Sequence, residues 1–114
     1  MSTESHILLS NVIAETTGYS EKQKGSGYNR RGNGLHTVVY QVDAFNGTIT
    51  IQGTLELHPS DTDWVDLASV DYTSDSTTAG ITTSASDNFT GNFVWIRAAY
   101  DITDGTIVSV RYNY

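Results

Sequence analysis

The sequence contains no cysteine and only one proline among its 114 residues. Without cysteine, neither a disulfide framework nor a thiolate metal site can form. No apolar run approaches the roughly 18 residues of a membrane-spanning helix, and the N-terminus lacks the basic region and the long apolar stretch of a secretory signal. We therefore expect a soluble protein that folds where it is made and has no membrane partner.

Basic residues are also scarce. The chain has six Lys and Arg against 13 Asp and Glu, which gives a net charge of -7, and nucleic-acid binding needs a basic footprint. Four of the six bases fall within residues 1–32, and the other two are Arg97 and Arg111. A slightly basic leader thus precedes a strongly acidic body, and we expect no nucleic-acid partner.

Signatures of catalysis are missing as well. The sequence has no Gly-x-Ser-x-Gly elbow, Walker loop or dinucleotide fingerprint, and its three histidines lack partners at metal-ligand spacing; His36 is predicted to pack rather than to bind a metal. The acidic loop offers a calcium candidate in Asp61, Asp63 and Asp66, because Ca²⁺ favours carboxylate oxygens, although the spacing is not that of an EF-hand. We expect a non-enzymatic protein without a cofactor, and a hydrolase that uses this acidic loop is an alternative.

Turn formers and strand formers dominate what is present. Glycine, Ser, Thr, Asn and Asp are abundant, and Thr and Tyr stand out among the strand formers. The clearest unit is "HTVVYQVDAFNGTITIQGTLEL", in which Asn46-Gly47 is a strong signal for a two-residue hairpin turn. That turn would place Val42 opposite Ile51 and Tyr40 opposite Gly53, with the apolar residues on one face.

A second hairpin is predicted at the end of the sequence. A three-residue loop at 103–105 with a glycine bulge pairs Ala98 with Val110 and Ile96 with Tyr112, so that one face is apolar throughout. Tyr112 and Tyr114 then complete the core face. The opposite face carries Trp95, with Arg97 directly across from Arg111.

About seven or eight short strands follow one another at intervals of roughly ten residues, which is typical of a sandwich or a barrel. We predict an all-β, antiparallel β-sandwich of jelly-roll type, with a closed small barrel as the alternative. Residues 17–34 are polar and glycine-rich, which predicts either a flexible connector or an extended N-terminal arm that lies on another subunit. The predicted division is a segment and arm at 1–34 and a sandwich domain at 35–114.

Aromatic and basic side chains supply the candidate binding residues. Aromatics could form a sugar-stacking platform, from Tyr19, Tyr28, Trp64, Tyr72, Trp95 and Tyr100. Trp, Tyr and Arg are also enriched at the energetic centres of protein interfaces. The predicted subunit interface therefore comprises Lys22, Lys24, Arg30, Arg31, Trp95, Arg97 and Arg111.

Two stretches, "FNGTITIQGTLELHPSDTDWVDL" and "NFTGNFVWIRAAYDITDGTIVSVRYNY", resemble small β-sandwich virion proteins of tailed phages, especially marine cyanophages. The resemblance covers about residues 35–114. It implies a non-enzymatic virion protein, made in the host cytoplasm, that binds other virion proteins and itself as a homo-oligomer, with a trimer as one candidate. Capsid decoration is the leading interpretation, and a tail, neck or fibre component that binds carbohydrate is the alternative.

Overall fold

The computed structural model describes residues 6–13, 17–29, 34–72 and 81–113, and strands hold 74% of them. The prediction of an all-β antiparallel protein is confirmed. The only helical element in these ranges is a single turn, α1. The elements in chain order are β1 (His6–Ile13), β2 (Thr17–Tyr19), β3 (Gln23–Lys24), α1 (Ser26–Asn29), β4 (Leu35–Thr54), β5 (Val65–Asp71), β6 (Ile81–Thr90) and β7 (Trp95–Asn113).

Two long strands, β4 and β7, form the centre of one antiparallel sheet and pair with each other along their whole lengths. The other edge of β7 is covered in turn by β1, β2 and β3, and the other edge of β4 is covered by β6 and β5. The sheet is therefore four strands wide. We call the part with β1 and β6 half A, and the part with β2, β3 and β5 half B.

Both predicted hairpins are wrong, because each spans a single continuous strand. Tyr40 pairs with Val110 rather than with Gly53, and Ile96 pairs with Gly53 rather than with Tyr112. The turn-forming dipeptides lie beside each other in the middle of the sheet, where Asn46 pairs with the residue at position 104 and the register shifts. A bulge needs the same permissive backbone as a tight turn, so these dipeptides fit either structure.

Close approach of the two backbones explains the glycines at these bulges. A Cβ added to Gly47 would collide with the carbonyl oxygen of Asp101, and one added to Gly105 would collide with that of Ala44. Gly105 also has a φ of 86°, and Ala44 has a φ of 50°, a region that is strained for a residue with a side chain. The pairing of β4 with β7 at the middle of the sheet thus depends on bulges in both strands.

The sheet curls into a half-barrel around its apolar face. A straight strand of 20 residues would measure about 66 Å, yet the longest dimension of the protein is 46 Å. Phe93 contacts both ends of β4: its ring centroid lies 6.5 Å from that of His36, and a Cβ on Gly53 would lie 2.9 Å from its Cγ. On the β7 side, the Tyr112 hydroxyl donates a hydrogen bond of 2.5 Å to the carbonyl oxygen of Lys24. These contacts join half A to half B.

Most buried positions match the predicted core faces although their partners differ. The exceptions lie next to the bulges and at a strand end: Phe45 and Ile107 are buried, whereas Ala44, Val108 and Leu55, which the hairpins placed on the core faces, are exposed. The buried set on the central strands includes Val38, Tyr40, Val42, Phe45, Ile49, Ile51, Ile96, Ala98, Ile102, Ile107, Val110 and Tyr112. The period-two alternation is the same whether a segment pairs with its neighbour in a hairpin or with a distant strand. The prediction that Tyr112 is a core residue is confirmed; Tyr114 lies outside the described residues.

The N-terminal segment departs from its prediction as a loop or arm. Residues 17–19 and 23–24 form strands on this chain's own β7, and β1 contributes the buried Leu8 and Leu9 to the core. Both sides of the predicted boundary at residue 34 therefore belong to one sheet, and the division into two domains stays a prediction. No helix in the described ranges has the length and apolar character needed to cross a membrane.

Candidate functional site

The outer face of half B carries most of the predicted interface residues. Along β7, the buried Ile96, Ala98 and Ile102 alternate with residues that point away from the core. The outward positions are Trp95, Arg97, Ala99 and Asp101. The strands β2 and β4 pair with β7, and β5 pairs with β4, with one register shift between Ile51 and Gln52. Their outward side chains therefore form rows with these four.

Arg97 is held between two aromatic rings. Its guanidinium carbon lies 4.0 Å from the ring centroid of Tyr19 and 4.3 Å from that of Trp64, and its Nε donates a 2.8 Å hydrogen bond to Oε1 of Gln52. The amide of Gln52 in turn donates to a carboxylate oxygen of Asp66 at 2.9 Å. A planar guanidinium stacks well on rings, so this arrangement fixes the arginine while leaving its charge without an ion pair in the described chain.

Trp95 is the centre of a second group beside it. Its indole Nε1 donates a 2.8 Å hydrogen bond to the carbonyl oxygen of Leu57, and its ring centroid lies 5.0 Å from that of Tyr28. The ammonium of Lys22 lies 5.1 Å from the Trp95 ring, and that of Lys24 lies 4.6 Å from the Tyr28 ring. Each ring is thus covered by a cation from the same chain.

We call this surface the aromatic-cationic cluster, and its members are Tyr19, Lys22, Lys24, Tyr28, Trp64, Trp95 and Arg97. It brings together four of the seven residues predicted for the interface, namely Lys22, Lys24, Trp95 and Arg97. It presents positive charge on rigid supports in a chain of net charge -7. A surface of this kind can bind an acidic protein surface, because fixed charges attract their partner without first losing side-chain freedom.

The other three predicted interface residues lie elsewhere. Arg111 does not face Arg97, because the two are 14 positions apart on one strand, and Arg111 pairs with Val39 and Ile7 instead. It lines a shallow groove of about 450 Å³ on the outer face of half A. Arg30 and Arg31 lie outside the described residues.

The calcium candidate is not assembled. The side chain of Asp63 accepts hydrogen bonds from the backbone amide and the hydroxyl of Ser60, at 2.8 and 3.1 Å, and so closes its own loop. Asp66 accepts the hydrogen bond from Gln52. Among the described residues, no group of three His, Asp or Glu stands close enough to hold a metal ion. Asp61 is therefore not part of such a group.

His36 packs as predicted, although in a different place. Its ring is fully buried and stacks on Phe89 at 4.7 Å, and its Nδ1 lies 2.9 Å from the carbonyl oxygen of Gly34. Burial lowers the pKa of His36 below its ordinary value, partly opposed by hydrogen bonds to the backbone of Gly34 and Phe89. The folded protein therefore favours the neutral form of the His36 ring.

Sequence reasoning missed two features of the aromatic side chains. It did not anticipate the stack of Tyr19, Arg97 and Trp64, because the register of a three-residue strand such as β2 leaves no pattern in the sequence. It also missed the buried hydroxyl of Tyr40, which has no hydrogen-bond partner among the described residues. Burial raises the pKa of Tyr40 well above its ordinary value, with Asp87 and Tyr72 adding to the effect. Tyr72 and Tyr100 pack against the core instead of joining an outer platform.

No family model matches the chain, and no curated protein sequence matches it.

Proposed function

We propose that this chain is a non-enzymatic virion structural protein of a tailed phage, which decorates or cements a capsid by docking the aromatic-cationic cluster on an acidic surface of its neighbours. The observation that carries the proposal is the gathering of Lys22, Lys24, Trp95 and Arg97 on one face of a rigid sheet. The phage assignment itself comes from the sequence resemblance of residues 35–114.

The composition of the cluster supports an assembly role. Trp, Tyr and Arg are the residues most enriched among interface hot spots, and the cluster holds two, two and one of them. Its charge is opposite to that of the chain as a whole. We therefore propose partners that include other virion proteins and further copies of this chain, with the virion as the location.

The finer fold is part of the same proposal. We infer that half A and half B act as the two layers of a small jelly-roll-like sandwich, because the buried faces of both halves supply one continuous core. The bulges near Gly47 and Gly105 would then serve as the corner between the layers.

The direct test combines particle analysis with a charge reversal. Quantitative mass spectrometry of purified particles should find many copies of the protein for a decoration role and few for a tail role. Binding of the purified protein to particles stripped of it should weaken at least about tenfold when Lys22 and Lys24 are both changed to Glu, and should weaken with salt.

A control for charge reversal is available in Arg111→Glu, which reverses one exposed charge on the other half of the sheet, and the single variant Lys22→Glu carries the same change in charge for comparison. The Arg111→Glu variant should bind like the wild type. Absence of the protein from particles would reject the virion function, whereas normal binding by the Lys22→Glu, Lys24→Glu protein would reject the cluster as the docking site.

A second candidate function is carbohydrate binding in a tail, neck or fibre. The specific observation in its favour is that Tyr19, Tyr28, Trp64 and Trp95 share one face, with Tyr19 61% exposed. A sugar ring could stack on the open side of Tyr19. Because cations from the same chain already lie over the other rings, we rank this function second. A glycan array with the wild type and Tyr19→Ala tests it, and binding that is unaffected by that substitution would rule out this platform.

A further inference from the structure

The outer face of half B carries positive charge at one end and negative charge at the other. Arg97 pairs with Gln52, and four positions further along β7 Asp101 pairs with Thr48. Both point outward, and four residues of extended strand separate them by about 13 Å. The two charges that β7 contributes to this face are therefore separated along the strand.

Neither charge is neutralised within the described chain. Arg97 contacts two rings and Gln52, and no carboxylate of the described residues lies within ion-pair distance of it. Asp101 accepts a hydrogen bond of 3.1 Å from the Thr17 hydroxyl and has no ion pair there either. A half-buried guanidinium without a counter-charge is costly, so a partner carboxylate would stabilise it.

The row between the two charges is made of small side chains. Ala99 pairs with Thr50, which pairs with Ser69 on β5, and none of these would keep a second sheet at a distance. At the edge of this row lies Tyr19, whose ring is the most exposed aromatic among the described residues. The centre of the face is thus flat enough for another sheet to pack on it.

We propose that this face binds a second copy of itself around a twofold axis. The axis runs between the two sheets and over the row of Ala99, and it lies about 15° from the perpendicular to β7, so that the β7 strands of the two copies cross at about 30°. Such an axis places Arg97 of each copy opposite Asp101 of the other, and Tyr19 beside its own counterpart. An isologous contact of this kind uses one patch twice. The inference deepens the proposed assembly function by naming the partner, and it rests on that function only for its biological role.

Two further acids lie on the same face. Asp66 and Asp71 are on β5, two strands away from β7, and like charges there would oppose association. Aligned sheets pack at about 30° to each other. At this angle Arg97 and Asp101 of the two copies stay opposed, because β7 lies at the point where the sheets cross. Asp66 and Asp71 on β5 lie further from that point and move apart.

Paired charge reversals in the purified full chain test the inference. The wild type should sediment at twice its 12.4 kDa monomer mass at low ionic strength. Arg97→Asp and Asp101→Arg should each raise the dissociation constant at least about tenfold. An equimolar mixture of the two variants should dimerise again, because only the mixed pair has opposite charges at both contacts. Arg111→Asp, which makes the same charge change on half A, should dimerise like the wild type.

A crosslinking measurement covers the case in which a reversal at position 97 disturbs folding. The chain contains no cysteine, so Ala99→Cys introduces a single thiol at the proposed axis, where it faces its own counterpart. Because stacked sheets lie about 10 Å apart, beyond the reach of a disulfide, a short bis-maleimide is the appropriate reagent. Ala99→Cys should crosslink into dimers, and Val39→Cys on the outer face of half A should not.

The inference is wrong if the wild type is monomeric at 100 times the concentration used for the particle assay, or if the two mixed variants stay monomeric while both are folded by circular dichroism. Equal crosslinking of both cysteine variants would also overturn it. A monomeric protein that still binds stripped particles would reject the dimer and leave the proposed virion function standing.

Discussion

Replacing Leu9 with Ala tests whether the N-terminal strand is part of the core. Leu9 lies on β1, which pairs with β7, and its side chain is only 6% exposed. A register shift between Ile7 and Leu9 turns both Leu8 and Leu9 toward the core. Ile7 points outward and is 49% exposed, so Ile7→Ala is the matched control on the same strand.

The expected loss follows from burial. Truncating a buried leucine to alanine typically costs about 2–5 kcal/mol, against a total stability of about 5–15 kcal/mol for a domain. With a urea dependence of about 2 kcal/mol per molar, the unfolding midpoint of Leu9→Ala should fall by about 1–2.5 M. Ile7→Ala should cost about 1 kcal/mol or less, because half of its side chain already faces water.

Urea unfolding followed by circular dichroism measures both changes. Removing residues 1–24 altogether takes away β1, β2 and β3 together with the acceptor of the Tyr112 hydroxyl, and the shortened chain should not fold cooperatively. Equal midpoints for the two alanine variants, or a cooperative melt of the shortened chain near that of the full one, would show that this segment is the independent arm predicted from composition.

Three further outcomes are expected. His36 is held neutral by burial, so the unfolded state binds a proton at this residue more readily than the folded state. Stability should therefore fall as the pH drops below about 6.5, with a slope of at most about 1.4 kcal/mol per pH unit. His36→Phe should flatten this dependence between pH 7.5 and 5, and an unchanged slope would assign the dependence to other groups. Tyr112→Phe removes the hydrogen bond to Lys24 and should cost about 0.5–1.5 kcal/mol in urea unfolding, whereas no loss would show that the bridge between the halves contributes nothing. Tyr40→Phe removes a buried hydroxyl without a partner in the described chain and should raise stability by about 1 kcal/mol; a clear loss would reveal a partner for that hydroxyl.

The buried faces of the central strands could be predicted because alternation is a local property. Val42, Ile51 and Tyr112 are buried as expected. This prediction needed only the alternation of side chains between the two faces of an extended strand. The packing of His36 was predictable for a similar reason, since no second ligand stands at a useful spacing. Half of the candidate site could be predicted as well. Trp95 and Arg97 are two positions apart on a strand and therefore lie on one face, and the basic Lys22 and Lys24 stand out in a polar segment.

The partners of the strands were not predictable, and the site depends on them. Asn46-Gly47 and the glycine at 105 permit a tight turn or a bulge at similar local cost, so the choice between hairpins and long strands rests on how much apolar surface the complete sheet covers. The tertiary structure decided that β4 and β7 run past each other, which separates Arg111 from Arg97 and brings Tyr19 and Trp64 to the guanidinium instead. By itself, the sequence determined an all-β chain and, away from the bulges, which side chains of a strand share a face. The pairing of the strands, which brings these faces together into a surface, arises from contacts between residues far apart in the chain, and these leave no signal in any short stretch.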